Sequence, residues 1–242
     1  MKTSPLPPPG VPFDPRTVFT AKTVDVEYPG EEEGLSLDGR PFTDLDVWRL
    51  ACALDGSKVK VTLSTIRVMV DDGYEEVGAI ELKSTNEVYC EQPTLRTIFQ
   101  EASGDRVISI VGNENIYFRP KWQCQGLGRM AIALQARTAY NLGFQKIRSD
   151  VGGHQRSGYI AWPAIGFDGI IPDDIWRKLP ADVLRSLGMD PAVPCHVSAF
   201  YQSDAGRKAW KAHGGGFPME LVLSSESPSF ERLMALAATL DP

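Results

Sequence analysis

The run Gln123-Cys124-Gln125-Gly126-Leu127-Gly128 is the stretch of this sequence best suited to hold a charged ligand. It stands between an apolar segment that closes at Phe118 and an alanine-rich segment that opens at Gly128. A strand, a glycine loop and a helix in that order make an anion site. The first amides of a helix have no intrahelical partner and carry partial positive charge. Glycines let the backbone approach the anion without a Cβ in the way. The local charge agrees, because Arg119 to Ser149 contains six basic residues (Arg119, Lys121, Arg129, Arg137, Lys146, Arg148) and no acidic one. The chemistry on offer is the holding of a phosphate or pyrophosphate. Arg129 in the first helical turn fits a bound polyphosphate, and it fits equally a side chain that extends into water.

The elements that must position this loop can be read from periodicity. Residues 1–16 carry six prolines and read as an extended arm. Phe42 to Leu54 places Leu45, Trp48 and Cys52 on one helical stripe, with Thr43 as N-cap and Gly56 past the end. Lys58 to Val70 alternates as a half-buried strand, Asp72-Gly73 reads as a turn, and Val77 to Leu82 returns as a hairpin partner. Leu95 to Phe99 and Val107 to Phe118 are further strands joined across Ser103-Gly104-Asp105. Gly128 to Leu142, free of proline and stopped by Gly143, is the main helix. Phe144 to Val151 is a strand and Gln155 to Ile165 a short helix. A proline-punctuated insertion follows, then a helix from Ser203 to His213, a strand from Phe217 to Leu223 and a closing helix from Phe230 to Leu240. This order predicts an α/β (α+β) fold: a mixed, mainly antiparallel sheet flanked by helices, with a helical insertion before the last strand. The expected division is an arm of residues 1–35 and one domain of residues 36–242, with its core at 106–168 and its insertion at about 168–200.

Bulk properties narrow the function classes. With 43% hydrophobic and 23% charged residues over 242 positions, the chain reads as a soluble globular protein. It has no apolar run long enough for a membrane span and no apolar signal-like segment near Met1, so a cytoplasmic location is expected. Cys52, Cys90, Cys124 and Cys195 are widely spaced and expected as free thiols. His154, His196 and His213 show no metal-ligand spacing, so no metal is expected. A net charge of −6 argues against a general nucleic-acid binder. Eight of the acidic residues fall between Asp25 and Asp46, either as a solvated face or as an attractor for a cation.

Three phosphate ligands compete for the loop. GxxxxGK[ST] is absent, which removes a P-loop. Gly126-Leu127-Gly128-Arg129-Met130-Ala131 satisfies the dinucleotide pattern GxGxx[G/A], with Asp150 22 residues after Gly128. Against it, the polar bridge Arg119 to Gln125 separates strand from glycine, and no alternating βαβ pattern follows. The stretch Phe118-Arg119-Pro120-Lys121-Trp122-Gln123-Cys124-Gln125-Gly126-Leu127-Gly128 resembles the pyrophosphate signature of the GNAT superfamily of N-acetyltransferases. That signature is an apolar residue, any residue, proline, two more residues, then [QR]xxGx[GA]. Asn141-Leu142-Gly143-Phe144 resembles the end of that family's main helix, and Gly158 to Phe167 its next helix ending in "GF". The likeness covers residues 106–168 and implies a GNAT-like fold.

The resemblance implies acetyl-CoA, or another acyl-CoA, as the donor and a small-molecule or protein amine as the acceptor. Membrane or nucleic-acid partners are not implied, and a homodimer is compatible. Amides around Cys124 to Arg129 would hold the pyrophosphate, and backbone near Phe118 and Arg119 would pair with pantetheine. Cofactor-binding residues would then be Phe118, Arg119, Gln123, Cys124, Gln125, Gly126, Leu127, Gly128 and Arg129, with Lys121 adding charge. Cys124 reads as a backbone donor and not a nucleophile, since no histidine is placed nearby by sequence. The family's carboxylate base would correspond to Glu114, which parity places on one face with Ile116 and Phe118. A turn at Gly112-Asn113 would instead leave Glu114 as a solvent-facing edge residue. The family's usual acid, a tyrosine four residues before the "GF" glycine, is here Trp162, which has no titratable proton. Tyr159, one turn earlier, is the substitute, or else it packs beside Trp162. His154 is a base, an acceptor contact or an ordinary loop histidine.

Overall fold

A computed structural model describes residues 13–30, 35–37, 39–70, 73–103, 106–149 and 158–240. A 3-10 turn, Pro15–Val18, begins at Asp14, whose carboxylate accepts from the Arg16 N–H. β1 (Asp25–Glu27) follows, and β2 (Leu35–Leu37) pairs with β3 (Arg40–Phe42) in a small antiparallel sheet. α1 (Asp44–Leu50) starts at Thr43 through a reciprocal capping box with Asp46, as the N-cap reading predicts. β4 (Lys58–Val70), β5 (Gly73–Thr85), β6 (Thr94–Ser103) and β7 (Arg106–Asn113) form an antiparallel meander. α2 (Leu127–Asn141), β8 (Lys146–Ser149), α3 (Gly158–Ile165), α4 (Asp173–Trp176), α5 (Ala181–Ser186), α6 (Asp204–His213), β9 (Met219–Val222) and α7 (Pro228–Ala238) complete the chain.

The sheet order is β1-β4-β5-β6-β7-β8-β9, with β1 parallel to β4 and the meander antiparallel, so the expected mixed, mainly antiparallel sheet is present. Of the helices between β8 and β9, α4 and α5 fall within the stretch expected as an insertion. Two compact units divide the residues: Met1–Ile147 with Leu223–Pro242, and Arg148–Val222. The expected turn at Asp72-Gly73 and the connection at Gly104-Asp105 fall partly or wholly outside the described residues. β5 meets β6 only over Ala79 to Ser84, and β1 meets β4 only over Lys58 to Lys60. Over Ile66 to Val68 and Glu75 to Val77 the two hairpin strands therefore pair only with each other among the described residues, while Ile66, Val68 and Val77 pack in one cluster with Phe99 and Ile110.

One strand is shorter than its sequence suggests. β7 ends at Asn113, whereas the apolar pattern runs to Phe118. The reason is Arg96, a fully buried residue of β6 whose register partner is Asn113. Its Nη1 donates to the carbonyls of Leu95 and Asn115, at 2.6 Å each. The Leu95 N–H turns to the side chain of Asn115 at 3.3 Å. Glu114 N–H still shares Leu95 O at 3.3 Å, but the strand pairing goes no further, and residues from Tyr117 onward find other partners. Tyr117 O accepts from Glu91 N–H, Phe118 bridges Cys90, and Arg119 N–H donates to Tyr89 O.

α2 is set against this sheet by polar as well as apolar contacts. Its buried face carries Ala131, Ile132, Leu134, Gln135, Ala136 and Ala139, and the alanines allow a close approach. Gln135 and Asn113 exchange two amide hydrogen bonds of 2.9 Å, and Gln135 also donates to Leu50 O at 2.7 Å. One buried side chain thus ties α2 to β7 and to the end of α1. The far end of α2 closes as a Schellman motif, with Gly143 N–H on Tyr140 O and Phe144 N–H on Ala139 O. Gly143 is left-handed (φ 87°), and Arg40 donates to Leu142 O at 3.1 Å beside it. Gln135→Leu should cost about 2–4 kcal/mol, because it strands the Asn113 amide and the Leu50 carbonyl in the interior. Denaturant unfolding measures this, and a loss under half a kcal/mol would contradict it.

Candidate functional site

The glycine loop lies wholly within the first unit. Pro120–Trp122 forms a 3-10 turn, and Trp122 is buried with its indole N–H on Val88 O at 2.9 Å. Gln123 is extended and its side-chain amide donates to Phe118 O at 2.9 Å, which ties the two ends of the turn together. Cys124 then adopts a left-handed conformation (φ 60°), and Gly126 does so again (φ 81°) as the N-cap of α2. A Cβ at Gly126 would meet no atom within 4 Å, so glycine is required there by conformation and not by space. Gly128 is the reverse case, since a Cβ would press on the Phe118 ring at 3.4 Å. The two glycines of the motif serve two different purposes.

These turns deliver an open helix start. The first helical bond runs from Met130 N–H to Gly126 O at 3.1 Å, so the amides of Leu127, Gly128 and Arg129 precede the ladder. No acidic residue stands in the first turn. Gln123, Cys124, Gln125, Gly126 and Arg129 are exposed, while Leu127 is buried and anchors the helix start.

The basic stretch sorts into two groups. Arg137 is half-buried and donates to Ala237 O at 3.0 Å at the end of α7. Lys146 pairs with Glu101 at 2.9 Å in the first unit, and Arg148 with Glu220 at 2.9 Å in the second. Arg119, Lys121 and Arg129 are exposed around the loop. Arg119 Nε donates to Glu87 O at 2.9 Å, and Lys121 lies over the Trp122 ring at 5.2 Å. Of the acidic stretch, the four described residues each have a neighbour. Asp25 and Glu27 face Lys58 and Lys60 at 3.7 and 3.6 Å. Asp44 accepts from Tyr28, and Asp46 from the Thr43 backbone.

Glu114 is the first residue after β7 and is exposed, although Gly112 and Asn113 form no turn and stay in β7, paired with Thr97 and Arg96. Its carboxylate accepts from the Thr97 hydroxyl at 3.2 Å. Tyr159 belongs to the second unit, where its hydroxyl donates to Lys211 O at 3.0 Å and its ring meets Trp210 edge-on. Trp162 is 6% exposed, with its ring centroid 4.9 Å from that of Phe167. His154 lies outside the described residues. Periodicity gives no warning of a polar cluster in the second unit. Asp168 accepts from Gly169 N–H, Ser198 N–H and the Ser198 hydroxyl at 2.9 to 3.0 Å, and faces His196 Nδ1 at 3.1 Å. Its side-chain partners, His196 and Ser198, are 28 and 30 residues away along the chain, so local spacing could not have found it.

All four cysteines are free thiols. Burial pushes the Cys52 thiol up and the Cys90 thiol up to about 11, and it raises half-buried Cys195 as well. Cys124 alone of the four is exposed, on the loop itself. A disulfide exchange reagent at neutral pH should therefore give one fast phase, removed by Cys124→Ser. A fast phase that survives this substitution would contradict the assignment.

No helix among the described residues is long and apolar enough to cross a membrane, and none of their His, Cys, Asp and Glu side chains form a metal-binding group of three. No family model matches the chain, and no curated protein matches it. Among solved structures it is similar to nourseothricin acetyltransferase, at 14% identity over 78% of this chain and 96% of that one, with a TM-score of 0.28. A score that low does not equate the two folds.

Proposed function

We propose that this chain is an acyl-CoA-dependent N-acyltransferase that passes an acetyl group from acetyl-CoA to a primary amine by direct attack. The observation that carries the reading is the loop: two left-handed residues, Cys124 and Gly126, turn the chain so that α2 opens with amides that have no partner among the described residues, beside exposed Arg119, Lys121 and Arg129. Those residues fit the pyrophosphate of coenzyme A, which supplies the activated acyl thioester. Phe118, held near Gly128, borders the backbone that would pair with pantetheine. The loop motif and its resemblance to the GNAT pyrophosphate signature support coenzyme A over a dinucleotide, because the polar turn Pro120–Trp122 separates the apolar segment from the glycines.

The amine must lose a proton as it attacks, and the departing thiolate must gain one. Glu114 is offered as the base: it is exposed at the end of β7 and oriented by Thr97. The acid has weaker support. Trp162 stands at the position of the family's tyrosine, and the Tyr159 hydroxyl is donated to a backbone carbonyl. That observation favours a second reading, a coenzyme A-binding protein without turnover that acts within an assembly or as an effector.

Calorimetry with coenzyme A, run beside a thiol-release assay with acetyl-CoA and a panel of amines, separates the readings. Binding with amine-dependent release supports the acyltransferase; binding without release for any amine supports the second reading; absence of binding sinks both. Gly126→Ala must hold a side chain in the left-handed region, so its coenzyme A Kd should rise about tenfold, the equivalent of 1–2 kcal/mol of backbone strain. Glu114→Gln should lower kcat by about a hundredfold or more while the coenzyme A Kd stays unchanged. An unaltered kcat removes Glu114 from the mechanism.

A further inference from the structure

The segment Phe13 to Thr20 is tied to the glycine loop by two independent routes, both inside the first unit. One is aromatic. The Phe13 ring packs on Trp122 at a centroid distance of 4.7 Å, and Tyr89 packs on the same indole at 5.0 Å. Trp122 is buried and immediately precedes Gln123, the residue that opens the loop. Phe13 thus closes one side of the pocket that fixes the indole.

The other route is a chain of hydrogen bonds. Val18 O accepts from Asp55 N–H at 2.8 Å, and the Thr20 hydroxyl donates to the Asp55 carboxylate. Asn86 Nδ2 donates to Asp55 O at 3.2 Å and to Ser57 Oγ at 3.0 Å. The Asn86 Oδ1 accepts from Val88 and Tyr89 N–H at 3.1 and 3.2 Å, which shapes the turn from Asn86 to Cys90. That turn then holds the loop's entry: Tyr89 O takes Arg119 N–H, Glu87 O takes Arg119 Nε, and Val88 O takes the Trp122 indole. Both routes converge on Arg119 to Trp122, the residues that aim the loop amides.

We propose that Phe13 is a positioning residue for the loop, and that its docking on Trp122 is positively coupled to ligand binding there. This rests on the loop being the coenzyme A site. A ligand that needs the loop in one conformation gains affinity when Phe13 holds Trp122 in place. The coupling is reciprocal, so the ligand must tighten the Phe13 segment by the same factor.

The test uses the full chain and coenzyme A as probe. Calorimetry compares the parent with Phe13→Ala and Phe13→Tyr, and hydrogen exchange follows the Thr17 and Phe19 amides, which bond to Asp14 O and Arg16 O. Phe13→Ala should raise the coenzyme A Kd at least about fivefold, with Phe13→Tyr close to the parent, and coenzyme A should slow exchange at both amides in the parent. The exchange arm needs no variant, so a poorly folded Phe13→Ala does not blunt the test. If the parent binds coenzyme A but its exchange is unchanged and Phe13→Ala binds within twofold of it, the coupling is overturned while the function stands. A parent that does not bind coenzyme A overturns both.

Discussion

Asn113 and Gln135 face each other in the interior of the first unit, and each amide satisfies the other. A buried amide without a partner is costly, so this pairing admits one rotation and one height of α2 relative to β7. The third bond, from Gln135 to Leu50 O, fixes the end of α1 in the same arrangement. Apolar packing alone would tolerate a small slide of an alanine-rich helix, because alanines offer little to interlock. The polar pair removes that freedom. Where α2 begins, and where its open amides point, follows from this contact made two turns further along the helix.

Sequence pattern was informative where a single local rule decides the outcome. Thr43 as an N-cap announced the start of α1, and alanine-rich sequence stopped by Gly143 announced α2. The glycine motif announced the loop, although only the structure separates Gly126, needed for its φ, from Gly128, needed for its closeness to Phe118. Pattern failed where a side chain from another strand intervenes. Ile116, Tyr117 and Phe118 look like strand residues, and nothing near them in sequence reveals that Arg96 has taken the carbonyls of Leu95 and Asn115. The Asp168 cluster was invisible for the same reason, since it is assembled from residues brought together only by the fold.

Charge runs illustrate the same limit. Six bases without an acid look like one electropositive surface, yet Arg137, Lys146 and Arg148 each turn to a partner inside the fold. What remains around the loop is smaller and better placed. The acidic segment is reduced in a similar way by Lys58, Lys60, Tyr28 and Thr43. Buried Arg96 adds the opposite lesson: a long polar side chain sits in the core with its Nη1 on two carbonyls and the Cys52 thiol close beside it.

The outer part of the β4–β5 hairpin has no further strand on either edge among the described residues, a geometry that invites strands from other molecules to add on. It also displays Leu63 and Tyr74, which are 55% and 74% exposed. Arg67, Glu75 and Glu76 are exposed on the same strands, and Arg67 pairs with Glu76 across them at 3.4 Å. Any strand that docked along either edge would have to desolvate or sidestep these charges. The hairpin therefore carries on its own strands the charged side chains that discourage edge-to-edge pairing.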